Sequence, residues 1–330
     1  MTRSNRVSHA LSKPALTVAI ALGALGITLA PTPVVAAAPM LRTQAPGFYR
    51  MMLGDFEVTV INDGTTSLDV DKLLAEPTAK TEAALKKSFE ASPVETSSNT
   101  FLINTGTKLM LIDTGAGSLL GPTLGKLLVN LRAAGYKPEQ IDDVFLTHMH
   151  PDHVGGLMVD GKLAFPNATL HANKRDSDYW LSQANLDKAP ASAKGYFQGA
   201  MASVNPYVTA GKYQPFDTDG ELVPGVRSIA SYGHTVGHTS YLVQSKGQKL
   251  MVIGDLIHVA AVQFHDPGVT IAFDSDAATA AATRKRVFGE LASDGVLLGA
   301  EHLQFPALGH LRAAGRSWQW VPVNYSTQLR

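Results

Sequence analysis

Thr147-His148-Met149-His150-Pro151-Asp152-His153-Val154-Gly155-Gly156 is the stretch on which the fold turns. Three imidazoles and a carboxylate fall within six positions, in a chain of 330 residues that holds 11 histidines. Imidazole nitrogen and carboxylate oxygen are ligands that suit zinc and similar divalent ions. His148 and His150 are two apart, so in an extended stretch both face the same side. Asp152 and His153 come just after the Pro151 turn and are placed to face a second ion. The alternative is a polar surface loop, and the tight spacing weighs against it.

Outward from this stretch, short β-branched or apolar runs read as strands: 56–62, 100–104, 109–113, 143–147, 240–243, 250–253 and 296–299. Helical periodicity marks 124–134, 174–183 and 277–292. The simplest arrangement is an α/β fold of two packed sheets with helices on their outer faces. Polar residues end several of the strands: Asp113-Thr114-Gly115, Thr147-His148, Gly254-Asp255 and Glu301-His302. Side chains at the ends of buried strands can converge on one cleft.

Bulk properties narrow the chemistry. Hydrophobic residues make up 45% of the chain, ample for a large core, and 28 basic residues balance 28 acidic ones. No global field favours nucleic acid or an anionic membrane. The chain has no cysteine, which excludes disulfides, thiolate ligands and a cysteine nucleophile. A Gly-x-Ser-x-Gly elbow is also missing from the sequence. Arg3, Arg6 and Lys13 precede an apolar run from Ala15 to Ala30 and a cluster of small residues ending at Ala38. That pattern predicts a secretory signal over residues 1–37, a periplasmic or secreted hydrolase domain over 38–330, and no membrane anchor once the signal is removed.

The H-x-H-x-D-H run resembles the signature of the metallo-β-lactamase superfamily. The resemblance implies an αβ/βα sandwich with a two-metal site, most simply zinc, at one edge of the sheets. It extends to Ser231–Thr239, which is similar to the second histidine motif, to Gly254-Asp255, similar to the bridging aspartate, and to Ala300-Glu301-His302, similar to the last histidine. The implied set is His148, His150 and His234 on one ion, with Asp152, His153 and His302 on the other and Asp255 between them. Asp113 matches a position that buttresses the site. Asp152 and Asp255 are the implied catalytic carboxylates, Asp152 as a proton relay. Two ions sharing a water lower its pKa toward neutrality and give a hydroxide nucleophile. On the residues themselves, His234 has helix capping as its alternative, with the first motif favouring ligation, and His310 competes with His302. His310 lies in a stretch read as helical, 308–314, which favours His302. His238 reads as a structural hydrogen-bonder, and His171 and His265 as surface or packing residues.

Stretches such as Met51–Phe56, Gly121–Gly125, Gly199–Ser203 and Val321–Ser326 further resemble the methyl parathion hydrolases of that superfamily, which implies a homodimer and an organophosphate triester substrate. The positions that match that group's pocket are Leu73, Leu120, Trp180, Tyr196, His258, Ile271 and Phe273. Several depart from its pattern: His258 stands for a leucine, which makes the pocket more polar, and Leu73 stands for an arginine. These departures favour a flat lactone or aryl ester of dihydrocoumarin type over a phosphotriester.

Overall fold

The computed structural model describes residues 38–329; the expected signal at 1–37 lies outside them. The chain divides into Met1–Thr43 and Gln44–Arg330, and the elements below belong to the second unit. Alternation along its strands dictates the layers. In the first sheet, Val58, Val60, Phe101, Ile103, Met110 and Ile112 point one way, into a core shared with Tyr241, Val243, Leu250 and Val252 of the second sheet. The intervening residues, Ile61, Leu102 and Leu111, point outward to meet the helical Leu127, Leu131, Phe197 and Val204. Met251 and Leu298 do the same on the other side, against Val287, Phe288 and Leu291. A period of two with both faces apolar requires cover on both sides, and helix–sheet–sheet–helix is the result.

The first sheet runs in sequence order: β1 (Phe48–Leu53), β2 (Phe56–Leu68), β3 (Val94–Asn104), β4 (Leu109–Ile112), β5 (Asp143–Phe145), β6 (Thr169–Asn173) and β7 (Tyr213–Phe216). It is antiparallel as far as β4 and parallel from β4 to β7. The second is likewise ordered: β8 (Gly220–Val223), β9 (Val226–Ala230), β10 (Thr239–Ser245), β11 (Gln248–Val252), β12 (Leu297–Gly299), β13 (Leu308–Ala314) and β14 (Ser317–Pro322). Only its β11–β12 pair is parallel.

The helices that bear on the site are α1 (Leu127–Ala133), α2 (Pro151–Val154), α3 (Lys174–Trp180), α4 (Gln183–Lys188), α5 (Ala191–Thr209) and α6 (Ala277–Asp294). Three sequence expectations change here. The helix expected over 174–183 breaks after Trp180, because the Ser182 side chain accepts from Asn185 N–H and starts α4. The helix expected from Leu124 starts at Leu127, because the buried Asp63 carboxylate accepts from the N–H groups of Ala116, Gly125 and Leu127 and holds that loop open. The segment around His310 is a strand, β13, paired with β14 through His310–Val321, and His310 is exposed.

Candidate metal centre

Every candidate ligand lies in a segment that follows a strand end. The chain leaves β5 into Thr147 and His148, then turns at His150 into α2, where Pro151 occupies the first helical position. The glycines of the signature let α2 sit tightly: a side chain at Gly155 would come within 1.9 Å of the Ala116 carbonyl oxygen. The chain leaves β11 through Gly254, whose φ of +55° and closeness to His238 admit no side chain, since a Cβ there would lie 2.4 Å from His238 Nε2. Asp255 follows. Glu301 and His302 follow β12, and the 231–238 loop delivers His234 on the way into β10.

Asp255 is the hub. Its Oδ2 lies 3.2 Å from Nε2 of His234 and His258 and 3.7 Å from Nε2 of His148. Its Oδ1 lies 3.2 Å from Nε2 of both His153 and His302. Asp152 Oδ2 is 3.4 Å from His302 Nε2 and 3.7 Å from His153 Nε2. His150 turns its Nδ1 toward His234 Nε2, at 3.1 Å.

The far nitrogen of four imidazoles is fixed from behind. Asp113 accepts from Thr147 N–H, the Thr147 hydroxyl and His153 Nδ1–H at 2.7–2.8 Å. His234 Nδ1–H donates to Asp274 at 2.9 Å, and His302 Nδ1–H to the Ser97 carbonyl at 3.0 Å. His148 Nδ1 meets the Thr147 hydroxyl at 3.1 Å. Such partners set tautomer and ring direction, leaving the other nitrogen free for a metal. His238 is not aimed at the centre in this way. Its Nε2 accepts the Asp255 N–H at 3.0 Å and its Nδ1 meets Ser231 Oγ at 2.8 Å, and burial drives its pKa down to about 3. It is a neutral imidazole holding the Asp255 backbone.

The electrostatics record a site short of positive charge. Burial opposes ionisation of Asp255, but the imidazoles of His153, His302, His258 and His148 outweigh it and hold the carboxyl well below its usual range. Burial also disfavours charge on His234, yet Asp255 and Asp274 raise it to about 9. His148 goes the other way, pushed well down by burial and by His153 and His150.

The residues fit divalent ions. His148 Nε2, His153 Nε2 and Asp255 Oδ1 are buried yet make no hydrogen bond, and a buried polar atom left unpaired costs free energy. Two groups of donors converge, His148–His150–His234–Asp255 and Asp152–His153–Asp255–His302, each with its donor atoms within 4.8 Å of one another. Nitrogen and oxygen donors with a carboxylate common to both groups form the donor set of a two-ion centre.

Four of the donors, His150, Asp152, Asp255 and His302, line a cavity of about 700 Å³. Of the seven residues expected to line it, Leu120, Tyr196, His258 and Phe273 do so. Leu73, Trp180 and Ile271 do not. Trp180 is buried behind His150, its ring edge-on at 5.2 Å. Ile271 is buried in a separate cluster with Val70, Leu74 and Val259, against which Leu73 packs. The sequence reading missed wall residues on β2 and α5, including Thr66, Leu68 and Gln198. It also missed the buried Arg284, which joins Asp274 at 3.5 Å and donates to the carbonyls of Leu256, Pro267 and Val269. Arg284 opens the basic run Arg284-Lys285-Arg286 inside the helical pattern of α6, which gives no sign of its burial in the sequence.

The sequence pattern of the metallo-β-lactamase superfamily matches residues 93–292. The chain belongs to that superfamily. Among solved structures of this fold, the hydrolase AbOPH of the β-lactamase superfamily is 36% identical, with a TM-score of 0.82 over 86% of this chain and 100% of its own. AidC, a dizinc quorum-quenching lactonase crystallised with the product N-hexanoyl-L-homoserine, is 28% identical, with a TM-score of 0.80 over 85% of this chain and 99% of its own. The N-acyl homoserine lactonase of Bacillus cereus is 25% identical over 159 residues, covering 48% of this chain and 55% of that enzyme. The chain thus spans about half the length of that curated relative.

Proposed function

We propose that this superfamily member is a two-metal hydrolase, zinc being the first candidate ion, that opens lactones or aryl esters of the dihydrocoumarin type. The observation that carries the reading is a pair of donor groups sharing Asp255, four of whose members, His150, Asp152, Asp255 and His302, open onto a cavity with largely apolar walls. Lactonases among the relatives support the substrate class. When bound, divalent ions supply Lewis acidity, polarising a carbonyl and making water nucleophilic near neutral pH.

The rest is done by this chain's own side chains. Leu120, Tyr196 and Phe273 receive the apolar body of the ester and exclude bulk water, which strengthens every polar interaction at the floor. His258 is held neutral, its pKa driven down to about 4 by burial against the pull of Asp255. It adds a polar edge beside Leu120, Tyr196 and Phe273. Asp152, the most exposed of the carboxylates at the centre, faces the cavity and is the group placed to pass a proton to the leaving oxygen. We extend the proposal to export directed by residues 1–37, a hydrolase domain over 38–330, and a homodimer. N-terminal sequencing of the exported protein and light scattering test these.

The decisive experiment compares kcat/KM for dihydrocoumarin, a long-chain N-acyl homoserine lactone and methyl parathion, on metal-loaded and chelated protein. Lactone turnover should exceed phosphotriester turnover and vanish with chelation. Parathion turnover far above both lactones would reverse the substrate assignment, and full activity in chelator would end the metal reading.

A further inference from the structure

Asp176 lies in the first turn of α3 and is fully buried, yet it does not serve its own helix; Asn173 caps that helix by accepting from Arg175 N–H. Its carboxylate reaches outward to two separate loops. Oδ2 accepts from Met149 N–H at 3.0 Å, between His148 and His150, and from the Thr235 hydroxyl at 3.0 Å, next to His234. Oδ1 accepts from Gly237 N–H at 2.7 Å. The fit is close: a side chain on Gly237 would stand 2.5 Å from the Asp176 nitrogen. One turn on, Trp180 lies edge-on to His150. Residues i and i+4 share a helix face, so α3 presents both groups to the same loop.

The two loops it joins lie far apart in sequence and carry His148, His150 and His234, the three histidines of one donor group. Asp176 makes no hydrogen bond to Asp152, His153 or His302 themselves; His153 is held by Asp113, which also binds Thr147 beside His148, and His302 is held by the Ser97 carbonyl. We propose that Asp176 is a positioning residue that sets the separation of His150 and His234, and so governs occupancy of the His148–His150–His234 group without governing the other. This rests on the two-metal reading above. Three donors converge on one carboxylate, and an amide of the same shape cannot accept all of them: one N–H would face an NH₂.

The test is metal binding by the full chain, free of turnover. Chelated protein is titrated with zinc and with cobalt(II), with stoichiometry read by elemental analysis and affinity by calorimetry. The native chain should take two ions. Asp176→Asn should keep one at native affinity and bind the other about 10–100-fold more weakly, the usual effect of losing an orienting partner. The cobalt spectrum should lose the features of one site only. His302→Ala should weaken the other ion, and the double variant should retain neither tightly. Should Asp176→Asn not fold, as judged by near-ultraviolet circular dichroism of the metal-free protein, Thr235→Val removes a single donor and should weaken the same ion by a smaller factor. Two ions bound at native affinity in the folded variant, or equal weakening of both, would overturn the proposal. A native chain that binds no ions would instead sink the two-metal reading itself, so the two failures are distinguishable.

Discussion

At the scale of single residues, His258 is the side chain whose chemistry bears most directly on substrate choice. Its ring stacks on His302 with centroids 4.8 Å apart and planes 20° from parallel, and its Nε2 reaches Asp255 Oδ2 at 3.2 Å. Its backbone is held separately: Gln263 Oε1 accepts the N–H groups of His258 and Val259 at 2.8 and 3.0 Å. The side chain can therefore be exchanged with little disturbance of the main chain. His258→Leu removes a polar edge from the cavity wall and leaves both donor groups in place. The expected outcome is an unchanged metal content and a shift of about tenfold in the kcat/KM ratio of methyl parathion to dihydrocoumarin, toward the phosphotriester, a size that one pocket contact can supply. An unmoved ratio would reduce His258 to a packing residue. The candidate ligands were legible in the sequence for a related reason. They sit in local motifs or directly after apolar strands, so short-range pattern is enough to mark them. Asp176, Asp274 and Arg284 were not legible, because what singles them out is burial and partners many residues away, which spacing does not encode.

At the scale of elements, the same division holds. All seven expected strands are present, because each is a central strand whose apolar run reflects burial on both faces. The strands that escaped the reading include the sheet-edge elements β1, β7, β8 and β14, whose mixed polar and apolar sequences reflect one solvent-facing side. The longest helix, α5, escaped too. Gly195, Gly199 and Pro206 lower its intrinsic propensity, and its form is imposed by packing of Phe197, Val204 and Tyr207 on the first sheet. Two of those residues are small where the helix walls the cavity: Gly195 and Gly199 both line it, and Gly199 lies against Leu119 and Pro151. Cavity space is favoured over helix propensity there, the kind of local conflict that concentrates at sites. Gly195→Leu tests this. A Cβ at 195 meets no neighbour within 4 Å, so the backbone there accepts a side chain, and the substitution removes a helix glycine. Stability should rise slightly, by up to about 1 kcal/mol, while kcat/KM falls more for a long-chain acyl lactone than for dihydrocoumarin. Equal effects on both substrates, measured beside the thermal midpoint, would show that α5 does not shape the cavity.

At the scale of the whole molecule, the centre joins the two halves of the sandwich. His148, His150, Asp152 and His153 follow the first sheet, whereas His234, Asp255 and His302 come from loops of the second. Protein hydrogen bonds already cross the same seam: Thr239 N–H donates to the Thr147 carbonyl at 2.8 Å, and the Tyr241 hydroxyl to the Leu146 carbonyl at 2.6 Å. Ions bound to donors from both sides act as cross-links that the unfolded chain does not hold, and a ligand selective for the folded state stabilises it by mass action, by about 2.7 kcal/mol at a hundredfold excess over Kd. Below the seam lies the inter-sheet core of Val58, Phe101, Ile112, Val243 and Val252, whose burial owes nothing to the centre. Chelation should therefore lower the unfolding temperature without unfolding the protein, and titrating zinc back should restore the midpoint in a concentration-dependent way. Amide exchange should locate the loss: faster at 147–156, 231–238 and 300–303, unchanged at 101–104, at 241–245 and along β11. A midpoint insensitive to chelation, or exchange that quickens uniformly through the inter-sheet strands, would show that the centre does not hold the two sheets together at that edge.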